Sequence, residues 1–465
     1  EGGEFRPQGG DHPSIRRRSR GPAGGQRRQA DAQEPCNHEI SAGSGVTRET
    51  PASIMRHPVP TGVRRTYMLD KRQFYRAMQR AKPQIQRNLS HGRNWRTAAA
   101  GLRKQLQHLS YRRATADLEG RADVVWPGAR PTPEVDAGTG FRYAFPHRWT
   151  SAEAAHKWAH QQLKAQPIVA VDGSQLESER GLALSVGAVQ IGYHYNDPLE
   201  RRHGEGQELQ IVLPSTAALV SESERENPGL SLAVNQARFV SECAMIPRLA
   251  AKTSKPPVCF YDNTFVISFV QALPEAQREI YVQAVQELLQ ASQTGQFPIV
   301  GYVDTSYSRD VGHMLQTLGA SEPQVPDAVL LQALLPNWGD RTPLLQCARA
   351  DGLSRDRDAT FYYGDVGFVY MRTYPAAPPA RIEIPMWVFE TGRLEEVLTV
   401  VRAQCLLGTG HYPYALGQAD RFAVLTLKDR RTFYHGLQGF LQEEMDFKLR
   451  RPAKAQSKRA SRSPV

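Results

Sequence analysis

The sequence predicts an α/β fold: a mixed sheet surrounded by helices, with basic tails outside it. Three observations support this. Apolar runs of strand length, Pro167-Ile-Val-Ala-Val171, Val258-Cys-Phe-Tyr261 and Pro298-Ile-Val-Gly-Tyr-Val303, are separated by stretches whose apolar residues recur at helical spacing. Each run ends on an aspartate, Asp172, Asp262 or Asp304, followed by small polar residues. Both ends of the chain are rich in Arg, Lys, Pro and Gly or Ser and lack a sustained apolar period.

The 465 residues include 37 glycines and 32 prolines and carry a formal net charge of +11, a balance that suits an acidic polymer as partner. Residues 1–60 contain Arg16-Arg-Arg-Ser-Arg20, show no periodic apolar pattern and are expected to be disordered. Residues 61–150 read as a basic helical region and connector. Between Lys71 and Arg113 there are twelve Lys or Arg residues and no Asp or Glu. Phe74, Met78, Ile85, Leu89, Trp95, Leu102, Leu106 and Leu109 supply apolar anchors, while Pro83 and Gly92 divide the stretch into two or three amphipathic helices. A run without counter-charges repels itself unless a polyanion is near. Lys71, Arg72, Arg76, Arg80, Arg87, Arg93 and Arg96 are therefore candidates for nucleic-acid contact; a solvated helical face and a membrane surface are the alternatives. The aromatic residues Phe141, Tyr143, Phe145 and Trp149 are expected to pack against the following domain, with base stacking as the alternative, and a helix is expected near 152–163.

The core is expected over 151–440. Pro167–Val171 reads as a buried strand delivering Asp172 to a turn at Gly173-Ser174, although Asp-Gly is also a plain turn signal. A second strand is expected at 183–192, paired with the first as a hairpin, then a charged connection over 200–210. The helix expected over 232–251 carries Glu242 among Val234, Phe239, Met245 and Leu249, and Pro247 argues against its being unbroken. The strand ending on Asp262 repeats the logic of the first. Two strand-borne aspartates brought together across a sheet would repel each other, and a divalent cation would relieve that repulsion.

A helix over 274–292 and a strand at 298–303 lead to Asp304-Thr-Ser-Tyr-Ser-Arg309, where Ser306, Ser308 and Arg309 suit phosphate oxygens, or else cap the helix over 311–318. Residues 325–358 read as helical with a charged loop, and 361–363 and 366–372 as strands. In 380–387, Arg381 and Glu383 share one face at period two, as a surface salt link or as a DNA-facing arginine beside an accessory carboxylate. Pro413 opens a helix continuing to Leu427 that places Tyr412 and Asp420 near one broad face; His411 reads as a surface or phosphate-contact residue. Residues 441–465 form a basic tail, with seven Lys or Arg and no acid between Lys448 and Arg462.

Asp172, Glu242, Asp262 and Asp420 are hard oxygen donors suited to Mn2+ or Mg2+, which can activate water for phosphodiester hydrolysis. No G-x-x-x-x-G-K-[ST] loop supports a nucleotide-driven motor. Five scattered cysteines, Cys36, Cys243, Cys259, Cys347 and Cys405, without C-x-x-C spacing, fit a reducing cytoplasm. No stretch of about 18 apolar residues suggests a membrane span, and the first ten residues lack the apolar core of a signal peptide.

Taken in order, Val171-Asp-Gly-Ser174, the helix bearing Glu242, Tyr261-Asp-Asn263, Gly301-Tyr-Val-Asp-Thr-Ser-Tyr-Ser-Arg309, Arg381-Ile-Glu-Ile-Pro385 and Tyr412-Pro-Tyr-Ala-Leu-Gly-Gln-Ala-Asp420 resemble the NurA nuclease family over about 160–435. The resemblance implies an RNase H-like core and a homodimer enclosing a DNA channel. It also implies manganese-dependent 5′-to-3′ exonuclease and single-strand endonuclease activity, and partnership with the HerA hexameric DNA-translocating ATPase in DNA-end resection and double-strand-break repair, in a cytoplasmic, nucleoid-associated setting. Asp172, Glu242 and Asp262 would be the metal-binding acids and Tyr412 the tyrosine of the C-terminal motif. Eight residues on, where the family often has histidine, this chain has Asp420, and Asp262 is followed by Asn263-Thr264 rather than Gly-Ser. A non-catalytic DNA-binding scaffold and a metal-dependent ribonuclease are the alternatives.

Overall fold

A computed structural model describes residues 70–121, 123–177, 184–213, 228–355, 357–358 and 360–447; the side chains of 89–94, 96 and 228–229 are outside that description. The 1–60 tail and nearly all of the C-terminal basic run lie beyond the described residues. In chain order the elements are α1 (Lys71–Gln107), α2 (Tyr111–Glu119), β1 (Gly128–Pro131), α3 (Glu134–Ala137), α4 (Ala152–Leu163), β2 (Ile168–Leu176), β3 (Gly187–Asp197), β4 (Arg202–Val212) and α5 (Pro228–Ala250). They continue with β5 (Val258–Tyr261), α6 (Glu275–Gly295), β6 (Ile299–Val303), α7 (Asp310–Thr317), α8 (Asp327–Leu331), β7 (Leu345–Ala348), β8 (Val366–Met371) and β9 (Ala380–Pro385). The last are α9 (Met386–Glu390), α10 (Leu394–Leu407), α11 (Tyr414–Ala423) and α12 (Leu427–Met445).

The strands form one sheet in the order β1-β7-β8-β9-β6-β5-β2-β3-β4. One half of it is β4-β3-β2-β5-β6: β2, β3 and β4 run as an antiparallel meander, and β5 and β6 follow parallel to β2. This is an α/β fold built on a mixed sheet, as the sequence predicts. Helices cover both faces. Val169 and Val171 of β2, with Cys259 and Tyr261 of β5, pack beneath α5 and α6, while Ile168, Ala170, Val258 and Phe260 pack beneath α10 and α11. This explains why β2 and β5 read as continuous apolar runs rather than alternating ones, since neither face meets water.

Several expectations change. The basic stretch is one helix through Gln107, not two or three; Pro83 lies inside it, and buried Ala98, Ala99, Leu102 and Leu106 anchor its C-terminal half beside α7 and α8. Pro247 likewise lies inside an unbroken α5. The supposed charged connection is β4, paired with β3 from Gly187↔Val212 to Asp197↔Arg202; it reads as a loop because it is an edge strand with one side in water. Residues 325–358 hold only the short α8, followed by β7. Tyr362 begins a 3-10 turn rather than a strand, its ring packed against Phe361 and Tyr363. The helix after Pro413 stops at Ala423, and α12 starts anew under a Thr426/Asp429 capping box. The connector contributes to the sheet, since β1 pairs with β7. Among the described residues no helix is long and apolar enough to cross a membrane.

Candidate active site

The parallel ladder between β2 and β5 ends at Val171↔Tyr261, so the next residues, Asp172 and Asp262, stand side by side at the carboxyl ends of the two strands. β2 leads away to β3 on one side and β5 to β6 on the other, and such a switch point is where open α/β sheets form their clefts. The strand does not turn at Gly173. β2 runs on to Leu176, so the expected turn is corrected to a strand position. Gly173 is needed for another reason. A Cβ there would lie 2.3 Å from Glu242 Oε1 and 2.9 Å from Arg238 Cγ, so its absence lets α5 deliver both side chains across the strand.

Asp420 reaches the same place by a similar device. Gly192 lies opposite Asp172 on β3, and a Cβ there would stand 2.3 Å from both Ala419 O and Ala423 N. Helix α11 therefore rests directly on the sheet. Its C-terminal carbonyls are held from below: Ser174 Oγ donates to Ala423 O, and Gln190 Nε2 donates to Phe422 O at 2.8 Å and to Ala423 O at 3.2 Å. Tyr412, just before α11, packs edge-on against Tyr302 with ring centroids 5.4 Å apart, and its phenol is hydrogen-bonded to Asp262.

The result is crowded negative charge. Burial, then Asp262 and Asp420, push the Asp172 carboxyl up to about 7, with a hydrogen bond from Gly173 N–H opposing. Burial pushes Glu242, 2% exposed, up to about 8, with Arg238 opposing and Asp172 and Asp262 adding to the rise. Asp262 is also raised, chiefly by desolvation at its crowded position, against the Tyr412 hydrogen bond and with Asp420 and Asp304 adding to it, although its residue surface is open to solvent. Burial and Asp262 raise the Tyr412 phenol, so it stays a hydrogen-bond donor. Among the described residues no three His, Cys, Asp or Glu side chains converge closely enough to hold a metal ion. In chemistry, however, the donor set is uniformly hard oxygen, and its unneutralised charge fits a divalent cation.

The other candidates lie elsewhere. Arg381 is buried: its Nε donates to Glu383 Oε1 at 2.7 Å, its Nη1 to Asp310 Oδ2 at 2.8 Å, and its guanidinium lies 3.8 Å from the Phe368 ring centroid. The DNA-facing reading of Arg381 is thus corrected, because both carboxylates hold it inside. Glu383 Oε2 in turn accepts from Thr264 Oγ1 at 2.8 Å and Phe265 N at 2.7 Å, bracing the turn that follows Asp262. Ser306 is buried, which takes it out of reach of phosphate, and half-buried Ser308 accepts from Arg349 Nη2 at 2.6 Å through its Oγ. Arg309 is exposed, and His411 stacks on Tyr374 with centroids 5.5 Å apart. Lys71, Arg72, Arg76, Arg80 and Arg87 are exposed on α1; the side chains of Arg93 and Arg96 lie outside the described residues.

Sequence reasoning missed Arg238, whose only signal is its place one helical turn before Glu242. It also missed Gly192 and Gln190, which nothing local distinguishes, and the contribution of Asp304 to the field at Asp262.

A family model described as the NurA domain matches residues 166–425, a span that contains all five clustered residues. Similar solved structures include a crystal structure of NurA, 10% identical, covering 60% of this chain and 89% of that one with a TM-score of 0.38. Another is of NurA with manganese, 11% identical, with the same coverage and a TM-score of 0.34. A third is of NurA bound to dAMP and manganese, 10% identical, covering 63% and 94% with a TM-score of 0.33. No curated protein matches the sequence.

Proposed function

We propose that this chain, which belongs to the NurA domain family, is a metal-dependent DNA nuclease whose active site is the cluster of Asp172, Glu242, Asp262, Asp420 and Tyr412. The observation that carries the reading is that Asp172 and Asp262 stand side by side at the ends of β2 and β5, with Glu242 of α5 and Asp420 of α11 near enough to couple to them electrostatically and too little positive charge to balance the set. Asp172 and Asp262, side by side on adjacent strands, would hold Mn2+ or Mg2+, with Glu242 and Asp420 completing the set from either face of the sheet. A bound divalent cation would supply charge stabilisation at the phosphate and a water acidic enough to attack at neutral pH. Tyr412 orients Asp262 through its phenol. No covalent protein nucleophile is needed, because water can be the attacking group.

The positive charge along α1 would hold the DNA backbone, with Arg309 and His411 as further phosphate contacts. In line with the family resemblance, we extend the reading to 5′-to-3′ exonuclease and single-strand endonuclease activity. We further extend it to a homodimer working with a HerA-type DNA translocase in end resection. The test is cleavage of matched 5′-labelled single-stranded DNA, duplex DNA and RNA with Mn2+, with Mg2+ and with EDTA. Cleavage of DNA that needs the cation and is lost in Asp172→Ala supports the reading. A folded, DNA-bound protein that does not cleave would leave a non-catalytic scaffold, and preference for RNA would make it a ribonuclease.

A further inference from the structure

Arg238 has a donor with nowhere to go. Its Nη1 donates to Gly173 O and to Glu242 Oε1, each at 3.2 Å. Its Nε is buried and has no acceptor, although the side chain as a whole is 32% exposed. A buried charged donor without a partner is costly and calls for an explanation; Arg381 Nη2 is another, but its side chain is 1% exposed and sealed inside, whereas Arg238 is open enough for a group outside the chain to reach it. The surroundings are cleared for this side chain, since Gly173 leaves the space that a Cβ would take from Arg238 Cγ. Arg238 also lowers both Glu242 and Asp262 electrostatically, which places its charge among the carboxylates rather than beside them.

We infer that Arg238 is the phosphate-binding arginine of this site, pairing with Glu242 in the cation-free protein and turning its Nε and a terminal N–H group to two phosphate oxygens when a divalent cation engages Glu242. A planar guanidinium suits the task, because two parallel N–H groups can meet two phosphate oxygens where an ammonium meets them only as a point charge. The inference rests on the nuclease reading and adds to it a specific consequence. Arg238 and the cation compete for Glu242, while Arg238 and the cation cooperate on phosphate.

The experiment uses the full chain and two variants, Arg238→Ala and Arg238→Lys, each checked for folding by circular dichroism. Mn2+ affinity is read by electron paramagnetic resonance of the free ion, and binding of dTMP and of thymidine by calorimetry at saturating Mn2+. We expect Arg238→Ala to bind Mn2+ several-fold tighter and dTMP at least tenfold more weakly, with thymidine unchanged and Arg238→Lys between. Unchanged dTMP affinity in a folded Arg238→Ala overturns the inference. So does weakening of Mn2+ and dTMP together, which would make Arg238 a structural prop for Glu242. If the wild-type protein binds Mn2+ and cleaves DNA, either failure leaves the nuclease reading standing. If it binds neither Mn2+ nor dTMP, both fall.

Discussion

Two groups of charged side chains lie on this sheet, and they are built on opposite principles. At the ends of β2 and β5, Asp172, Glu242, Asp262 and Asp420 face one another with Arg238 opposing them. Beneath β9, Arg381 and Arg349 alternate with Glu383 and Asp310: Arg349 donates to Asp310 Oδ1 at 2.8 Å and Oδ2 at 2.6 Å, while Arg381 bridges Asp310 and Glu383. The electrostatic consequences differ accordingly. Burial pushes Asp310 up, but Arg349 and Arg381 more than offset it and hold the carboxyl below its ordinary value. In the first cluster burial prevails, and Asp172 and Glu242 rise to about 7 and about 8. Charge paired by opposite charge within the chain is finished structure, even though Arg381 Nη2 itself lacks an acceptor. Unbalanced charge in an accessible cleft is where a ligand completes the arrangement.

The comparison breaks most sharply at Asp172. Asp172→Asn keeps the shape and removes a charge, so cation-supported cleavage of 5′-labelled single-stranded DNA should fall by on the order of 10³-fold or more, about 4 kcal/mol. The same variant should unfold at no lower temperature than the wild type, because it relieves repulsion. Asp310→Asn should do the reverse. Removing one carboxylate between two buried guanidinium groups should cost about 3–5 kcal/mol in urea unfolding, with cleavage per folded molecule much less affected.

pH sharpens the contrast. The raised values of Asp172 and Glu242 mean that the folded chain keeps protons the unfolded chain has released. Their contribution to stability is therefore full below about pH 4, declines as pH rises through about 7 and 8, and is constant above. Urea titrations of the cation-free protein should show this decline, on the order of several kcal/mol, most of it from Glu242, the more deeply buried of the two. Saturating Mn2+ should flatten it, and persistence of the slope with the cation bound would argue against cation binding here. The smallest effect belongs to Ser174→Ala, which releases one carbonyl at the end of α11. We expect about 1 kcal/mol of stability lost and a measurable loss of cleavage, as Asp420 is no longer held against Asp172.

The parts of this protein that were legible in its sequence are those specified by local chemistry. β2, β5 and β6 were visible because strands covered on both faces are uninterruptedly apolar, and α5 and α6 because their apolar residues keep the helical period. The aspartates ending β2 and β5 stood out for the same reason, as charges at the close of an apolar run. Features set by long-range pairing were not visible. β4 reads as a loop because an edge strand can be charged, and only its eleven-residue register with β3 makes it a strand. Gly173 reads as a turn because Asp-Gly usually is one, and only the approach of Glu242 shows that the glycine clears a crossing side chain.

Arg381 makes the point most fully. Its alternation with Ile382 correctly separated the two faces of β9, but whether its face met water or Asp310, 71 residues earlier, was not a local property. The sequence by itself determined the α/β class, the strand-borne acids and the basic surface, since hydrophobic period and charge act between neighbours. Only the tertiary structure decided which charges would be neutralised and which left facing one another. That depends on partners brought from distant segments, and on glycines whose missing side chains allow those segments to touch.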